Sequence, residues 1–156
     1  MKKLLLILIF LAGFSSFSLA QEQGEARIHA FGSYGFKSDF FGYGAGIEYF
    51  FAEKFALMPS FTALNPEVGN ASNFSFDLKY YLTEGPSQIY VMAGYSQTFQ
   101  NTQPGVPGTR ENYVGGNMGV GAYIPIREWV GLNTEFKFQS QVPQEVVFKV
   151  GLAFPL

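Results

Sequence analysis

The sequence predicts an all-β fold, an up-and-down antiparallel β-barrel of about eight strands that spans a membrane. Apolar residues alternate with period two along most of the chain after residue 25, as expected for strands with one apolar face. Charged residues make up 14% of the chain and aromatic residues 18%, whereas a soluble domain carries about 25% charged residues. No apolar stretch beyond the N-terminal segment is long enough for a transmembrane helix, so if the chain spans a membrane, it does so with strands.

The first 20 residues have the pattern of a secretory signal peptide. Two lysines precede an apolar run over residues 4–14, which is too short to span a bilayer as a helix. Ser18-Leu19-Ala20 then places small residues where a signal peptidase reads the chain. We expect residues 1–20 to be removed and residues 21–156 to form one barrel domain. A retained N-terminal anchor is the alternative.

Composition excludes several classes of function. The chain has no cysteine, so disulfides and thiol or Cys-based metal chemistry are not available. Without Lys2 and Lys3, eight basic residues face twelve acidic ones, a net charge of −4. This acidic balance argues against nucleic acid as a partner, because nucleic-acid binding requires a basic surface. Nothing in the sequence calls for a cofactor.

Eight segments have the length and alternation of membrane-crossing strands, which need about 9–11 residues each when tilted. The last segment alternates most clearly, with Val146, Phe148 and Val150 on one face and Lys149 and Gly151 on the other. Pro59 is the weakest point of the assignment, because its missing N–H removes one ladder hydrogen bond. The predicted strands are 26–36, 40–51, 54–64, 72–82, 88–100, 112–124, 129–140 and 145–156.

The connections between these strands alternate in length. Membrane barrels have short periplasmic turns and longer extracellular loops, although the first and fourth outer connections, near 37–39 and 142–144, are short here. The third loop contains Pro104-Gly105-Val106-Pro107-Gly108, which predicts an irregular, mobile segment. The predicted tight turns are Ala52–Lys54, Thr83–Ser87 and Pro125–Glu128, and the predicted longer loops are Asn65–Ala71 and Asn101–Glu111.

A faint repeat recurs at an offset of 75 residues. Gly44-Ala45-Gly46 matches Gly119-Val120-Gly121, and apolar alternating residues follow each copy after a tight turn. Reuse of one hairpin unit is expected of an up-and-down barrel.

Along each predicted strand, the positions between the apolar residues form a second face, which we call the polar set. The composition of this set indicates which face of the barrel is the inside. A soluble, lipocalin-like barrel would need this set to cover its surface, but the set is rich in glycine and holds only seven charges. As an interior it leaves room in a narrow lumen, and its four cations and three anions could pair, as buried charges must. The predicted lumen polar network is Arg27, His29, Glu48, Asp77, Lys79, Glu135, Lys137 and Lys149.

The apolar set has the distribution expected of a lipid-facing surface. Aromatic residues concentrate towards the strand ends, and aliphatic residues lie between them, as in the two aromatic girdles of membrane barrels. This arrangement favours a membrane barrel over a soluble ligand-binding one. The predicted membrane-interface aromatics are Tyr34, Tyr49, Phe51, Phe55, Phe61, Phe74, Tyr80, Phe136, Phe138 and Phe154.

In these features the chain resembles the small outer-membrane β-barrel proteins of the OmpA/OmpX type. The resemblance is carried by the hairpin segments Gly44–Phe61 and Gly119–Phe138, by Ile89–Tyr95, and by the apolar closing strand. It implies a monomer in the bacterial outer membrane, in contact with outer-membrane lipid and lipopolysaccharide. It also implies recognition of the C-terminal strand by the barrel-insertion machinery. Such barrels usually end in an aromatic residue, so here Phe154 is expected to take that place two residues early.

No constellation in the sequence predicts an enzyme. His29 is the only histidine, and catalysis would require a nucleophile and an orienting carboxylate beside it. Ser33, Ser75 and Asp77 are conceivable partners, as in lipid-A-modifying barrels, but those enzymes work at the outer edge and His29 is expected near the periplasmic end. We therefore expect a non-enzymatic structural or surface-contact role. A small or gated pore is the alternative, although eight strands enclose little more than their own side chains.

Overall fold

The computed structural model describes residues 23–102 and 109–156 and shows a closed antiparallel barrel of eight strands. This confirms the predicted fold class. The predicted signal peptide and residues 104–108 of the third loop lie outside the described residues. The strands are β1 (Ala26–Gly35), β2 (Phe41–Ala52), β3 (Phe55–Asn65), β4 (Asn70–Tyr81), β5 (Gln88–Asn101), β6 (Arg110–Arg127), β7 (Val130–Gln139) and β8 (Glu145–Pro155).

Each strand pairs with its neighbours in the chain, and β1 pairs with β8 to close the barrel. In the closing ladder Ile28 lies opposite Phe154 and Tyr34 lies opposite Phe148. Closure removes the exposed strand edges through which open sheets aggregate. In the described part of the chain, no helix is long and apolar enough to cross a membrane.

The two ends of the barrel are distinguished by their connections. We call the end with the β1–β2, β3–β4, β5–β6 and β7–β8 connections the loop end. The turn end is the opposite one, where β1 starts and β8 finishes. The second outer connection is only residues 66–69, shorter than the predicted Asn65–Ala71, because β3 and β4 stay paired out to Leu64 and Ala71. The turn after β4, residues 82–87, is longer than this loop, so the expected difference in length is wrong at this pair.

Seven of the eight strands begin and end within two residues of their predicted positions, and β6 is the exception. It continues through Pro125 to Arg127, so the predicted turn Pro125–Glu128 is wrong, and the turn itself is Glu128–Trp129. The β6–β7 pairing shifts between Pro125 and Arg127. At a bulge, a strand can contain a proline because the residue there need not donate a ladder hydrogen bond. The sequence prediction instead ended the strand at Pro125.

The 75-residue repeat has a structural counterpart. The β2–β3 hairpin shifts register between Phe50 and Ala52, positions that correspond to Pro125 and Arg127 in β6–β7. A side-chain carbon on Gly44 would lie 2.2 Å from the Phe61 carbonyl oxygen, and one on the equivalent Gly119 would lie 2.3 Å from that of Phe136. The two hairpins therefore share both their bulge and their close glycine contact.

Pro59 does not disturb the barrel. It lies within β3 opposite Phe76, and the β2–β3 register is the same on both sides of it, with Gly46 opposite Ser60 and Tyr49 opposite Leu57. The single lost donor is therefore absorbed without a change of pairing.

Candidate functional site

The lumen gathers the polar residues of the barrel. All eight residues of the predicted polar network point inward, and none is more than 4% exposed. They come from β1, β2, β4, β7 and β8, so the alternation of each strand determines which of its side chains meet. Their contacts divide the lumen into two halves with different chemistry.

A chain of charges crosses the middle of the barrel. The Nζ atom of Lys79 lies 3.0 Å from a Glu135 oxygen and 3.3 Å from a Glu48 oxygen. Lys137 forms an ion pair with Asp77. All five side chains are almost completely buried, and such groups are tolerated only when they are paired and hydrogen-bonded.

Two buried tyrosines complete this network. The Tyr81 hydroxyl donates to Glu48 at 2.7 Å, and the Tyr90 hydroxyl lies 2.9 Å from a Glu135 oxygen. The Lys79 ammonium also lies 4.3 Å from the centre of the Tyr90 ring, within cation–π range. The predicted network omits both tyrosines, although alternation places Tyr81 on the same face as Asp77 and Lys79, because the network was built from charged residues and histidine.

Arg27 closes the turn end. Its guanidinium forms an ion pair with Glu25 at 2.8 Å and donates to Gln88 at 3.1 Å. It also lies 4.1 Å from the centre of the Tyr123 ring and 4.8 Å from that of Phe50. Glu25 is a fourth lumen anion that the sequence prediction omitted, since it precedes the first strand.

Glycines make the room that these rings occupy. A side-chain carbon on Gly121 would lie 2.4 Å from the Tyr90 ring, and one on Gly131 would lie 2.3 Å from the Tyr123 ring. Small and large residues on adjacent strands thus fill the narrow lumen together. We call this filled region, from Arg27 to the Lys79 and Lys137 ion pairs, the turn half.

Neutral groups dominate the other half of the lumen, which we call the loop half. Asn73 donates to Ser96 at 2.8 Å and to Thr98 at 2.7 Å. Gln141 donates to the same Thr98 hydroxyl at 2.8 Å, and Gln139 donates to Ser96 at 3.1 Å. The sequence prediction, which was built on charges, missed this belt of amides and hydroxyls.

A pocket enters the loop half from the loop end. It has a cavity volume of about 70 Å³, and Lys149 is its deepest lining residue on β8. The Lys149 ammonium has no hydrogen-bond partner in the part of the chain that the structure describes, and it lies 4.5 Å from the centre of the Phe31 ring. The nearby carboxylates engage Lys79 and Lys137, so among the described residues Lys149 is the lumen cation without an ion-pair partner, as an excess of one cation in the predicted network allows.

His29 does not assemble the arrangement that an acyl-transfer enzyme would need. Its Nε2 atom lies 3.0 Å from Glu48. Of the conceivable partners, Ser75 donates to Asn73 and Asp77 pairs with Lys137. Within the described residues, no serine bonds His29.

The outer surface carries the predicted aromatic residues. Eight of the ten are exposed, and Phe138 and Phe154 are half-buried. At the turn end Phe55 packs on Tyr80 with ring centres 4.8 Å apart, and Trp129 stacks on Phe154 at 6.5 Å. Trp129, the only tryptophan, was not among the predicted residues. Their role at a membrane interface remains a prediction.

Comparison with known proteins shows which solved structures share this fold. No family model matches the sequence, and no curated protein matches it significantly. Among solved structures, the N-terminal β-barrel domain of Pseudomonas aeruginosa OprF is 22% identical with a TM-score of 0.76, and the match covers 86% of this chain and 98% of that one. The outer membrane protein OprG of the same organism is 13% identical with a TM-score of 0.66, covering 88% and 98%.

The attachment invasion locus protein Ail of Yersinia pestis is also similar, at 15% identity and a TM-score of 0.56, covering 86% of this chain and 99% of that one. Identities this low show the fold. The resemblance found in the sequence is confirmed at that level: the chain has the eight-stranded fold of the small outer-membrane β-barrels of the OmpA/OmpX type.

Proposed function

We propose that the protein is an integral barrel of the bacterial outer membrane with a structural or surface-contact role. One observation carries the proposal, namely that the barrel has its apolar residues outside and its charges inside. Phe41 is 57% exposed and Met118 is 62% exposed, whereas Glu48 and Lys79 are completely buried. This is the reverse of a water-soluble protein.

The exposed apolar residues form a larger continuous surface than water-soluble proteins have. They come from every strand and surround the barrel, whereas soluble proteins rarely expose apolar patches of more than a few hundred Å². In lipid the same surface needs no cover, and the closed ladder satisfies the backbone hydrogen bonds. This supports lipid over a soluble ligand-binding barrel.

Outer-membrane lipid and lipopolysaccharide are the partners that fit this surface. The closing strand β8 ends with Phe154 packed on Trp129, which supports Phe154 as the aromatic signal that the insertion machinery reads. Every strand is paired within the chain, so a monomer suffices to complete the barrel.

The filled turn half speaks against the pore alternative. The turn end is filled by contacts of the Arg27 guanidinium with the rings of Phe50, Tyr81 and Tyr123. The middle is crossed by the ion pairs of Lys79 and Lys137. We expect the purified protein to show no steady conductance in planar bilayers. A steady current that changes with Lys79→Ala would restore the pore as the favoured function.

Cell fractionation tests the proposal. Expressed with its full sequence in a Gram-negative host, the protein should sediment with the outer membrane and migrate differently on gels before and after heating. Recovery in the soluble periplasm without a heat-dependent shift would contradict it.

Two matched substitutions on the outer face of β6 sharpen this test. Val120 lies near the middle of the strand and Asn112 lies near its loop end, and both are exposed. Val120→Lys should destabilise the barrel by about 2–4 kcal/mol in lipid, and Asn112→Lys should have little effect. A soluble barrel would tolerate both equally.

A further inference from the structure

We propose that the pocket in the loop half binds a small, singly charged anion, and that a carboxylate is the group that fits it. Among the described residues, four polar atoms that line this pocket have no hydrogen-bond partner: the donors Lys149 Nζ, Ser33 Oγ and Thr62 Oγ1, and the acceptor Gln141 Oε1. Their residues are only 3–6% exposed. Buried polar groups are nearly always satisfied, so three unsatisfied donors lining one cavity call for an explanation.

Lys149 differs from the other lumen cations in having no carboxylate. Lys79 and Lys137 each pair with an acidic side chain. Lys149 lies opposite Glu135 in the β7–β8 ladder, yet a Glu135 oxygen is already bound to Lys79 and to the Tyr90 hydroxyl. Among the described residues, no carboxylate oxygen lies within 4.0 Å of the Lys149 ammonium.

The strand register holds one of the two free hydroxyls, that of Ser33, beside this ammonium. Ser33 lies directly opposite Lys149 across the β1–β8 ladder. On the other side Ser33 lies opposite Gly42, and Thr62 on β3 lies opposite Gly44. A side-chain carbon on Gly42 would lie 2.7 Å from the Ser33 hydroxyl. Neighbouring side chains occupy the space over these glycines, since a carbon on Gly42 would also lie 2.8 Å from Leu64 and one on Gly44 would lie 2.8 Å from the Phe31 ring. The pocket that Ser33 and Thr62 both line brings the two hydroxyls to one cavity.

The donors define the class of ligand. One ammonium and two hydroxyls match the charge and the acceptors of a single carboxylate. Glu145 at the rim, whose oxygen accepts from the Ser38 backbone at 3.0 Å, adds a negative charge that disfavours ligands with several charges. Leu64 and Val147 line the same pocket and offer an apolar wall to a short hydrocarbon portion.

Titration of the full-length protein in detergent micelles with sodium propionate tests the proposal. Binding is followed by calorimetry and by the amide NMR signals of Ser33, Thr62 and Lys149. We expect saturable binding that is absent with sodium chloride at equal ionic strength. Lys149→Met should weaken it at least tenfold. Lys37→Met is the matched control, because it removes the same charge from an exposed loop position and should leave binding unchanged.

A second variant keeps the test decisive if Lys149→Met does not fold, which the heat-dependent gel shift reports. Ser33→Ala combined with Thr62→Val retains the charge and should weaken propionate binding several-fold. Non-saturable binding, an unchanged affinity in either pocket variant, or an equal loss in Lys37→Met would overturn the proposal. Tighter binding of inorganic phosphate than of propionate would overturn the carboxylate assignment.

Discussion

The two halves of the lumen are built from the same eight strands but solve the problem of buried polar groups differently. In the turn half, ion pairs and tyrosine hydroxyls satisfy the charges, and aromatic rings fill the remaining space. In the loop half, neutral amides donate to hydroxyls around a pocket, and Lys149 has no hydrogen-bond partner among the described residues. The difference teaches that a narrow barrel can be sealed at one end and remain open to a ligand at the other.

The same substitution in each half should have opposite consequences, and this is the largest effect expected. Lys79→Met leaves two buried carboxylates without their cation, which should lower the free energy of unfolding by about 3–5 kcal/mol. Lys149→Met removes a buried cation that has no carboxylate partner, so it should be neutral or stabilising. Denaturant unfolding in micelles, followed by the fluorescence of Trp129, measures both.

Equal destabilisation by the two variants would break the comparison, because it would mean that Lys149 is as well paired as Lys79. Lys37→Met serves as the baseline for losing one lysine from an exposed site.

The close packing of glycines against tyrosine rings in the turn half should give the next largest change in the free energy of unfolding. Gly121→Ala would place its new carbon 2.4 Å from the ring of Tyr90, whose hydroxyl is held by Glu135 and Asn133. The ring cannot move away cheaply, so a loss of about 1–3 kcal/mol is expected.

Gly116→Ala is the control on the same strand, since the nearest atom to its new carbon is 3.6 Å away. It should leave the unfolding midpoint unchanged. If the two alanine variants unfold alike, the lumen is less tightly filled than the structure indicates.

The smallest effect is expected outside the lumen, at the turn end. Exposed Lys54 and Glu84 form a 2.9 Å ion pair that raises the pKa of Lys54 above its ordinary 10.5. A raised lysine pKa stabilises the fold below pH 10.5, and this contribution is lost as the pH rises through the folded-state value. Glu84→Gln should therefore change stability only slightly at neutral pH, and 1 M salt should remove the difference. A large, salt-independent loss would contradict this.

Much of the turn half could be predicted from the sequence, and much of the loop half could not. A charged residue at alternating positions of an otherwise apolar strand marks the face that avoids lipid. Glu48, Lys79 and Glu135 were therefore predicted to face the lumen, where the structure places them. Their partners across the barrel depend on the register between strands, which alternation does not determine. Tyr81 and Tyr90 were not predicted because the network was built from charged residues and histidine, whereas a tyrosine combines an apolar ring with a polar hydroxyl.

The isolation of Lys149 illustrates the same limit. It has two causes. The register between β1 and β8 places Ser33, not a carboxylate, opposite Lys149, and Glu135 forms its ion pair with Lys79. Neither is visible in one strand alone. The bulge at Pro125 and Arg127 was missed because a proline near a predicted turn reads equally well as the turn itself.

Cysteine labelling tests the division of the lumen most directly, because the chain has no cysteine of its own. Thr62 and Ala56 both point inward on β3, and Thr62 lines the pocket of the loop half whereas Ala56 lies in the apolar cluster of the turn half. In the folded barrel, Thr62→Cys should react with a small methanethiosulfonate reagent within minutes, and Ala56→Cys should react only after unfolding. Equal reaction rates at the two positions would contradict a sealed turn half beside an open loop half.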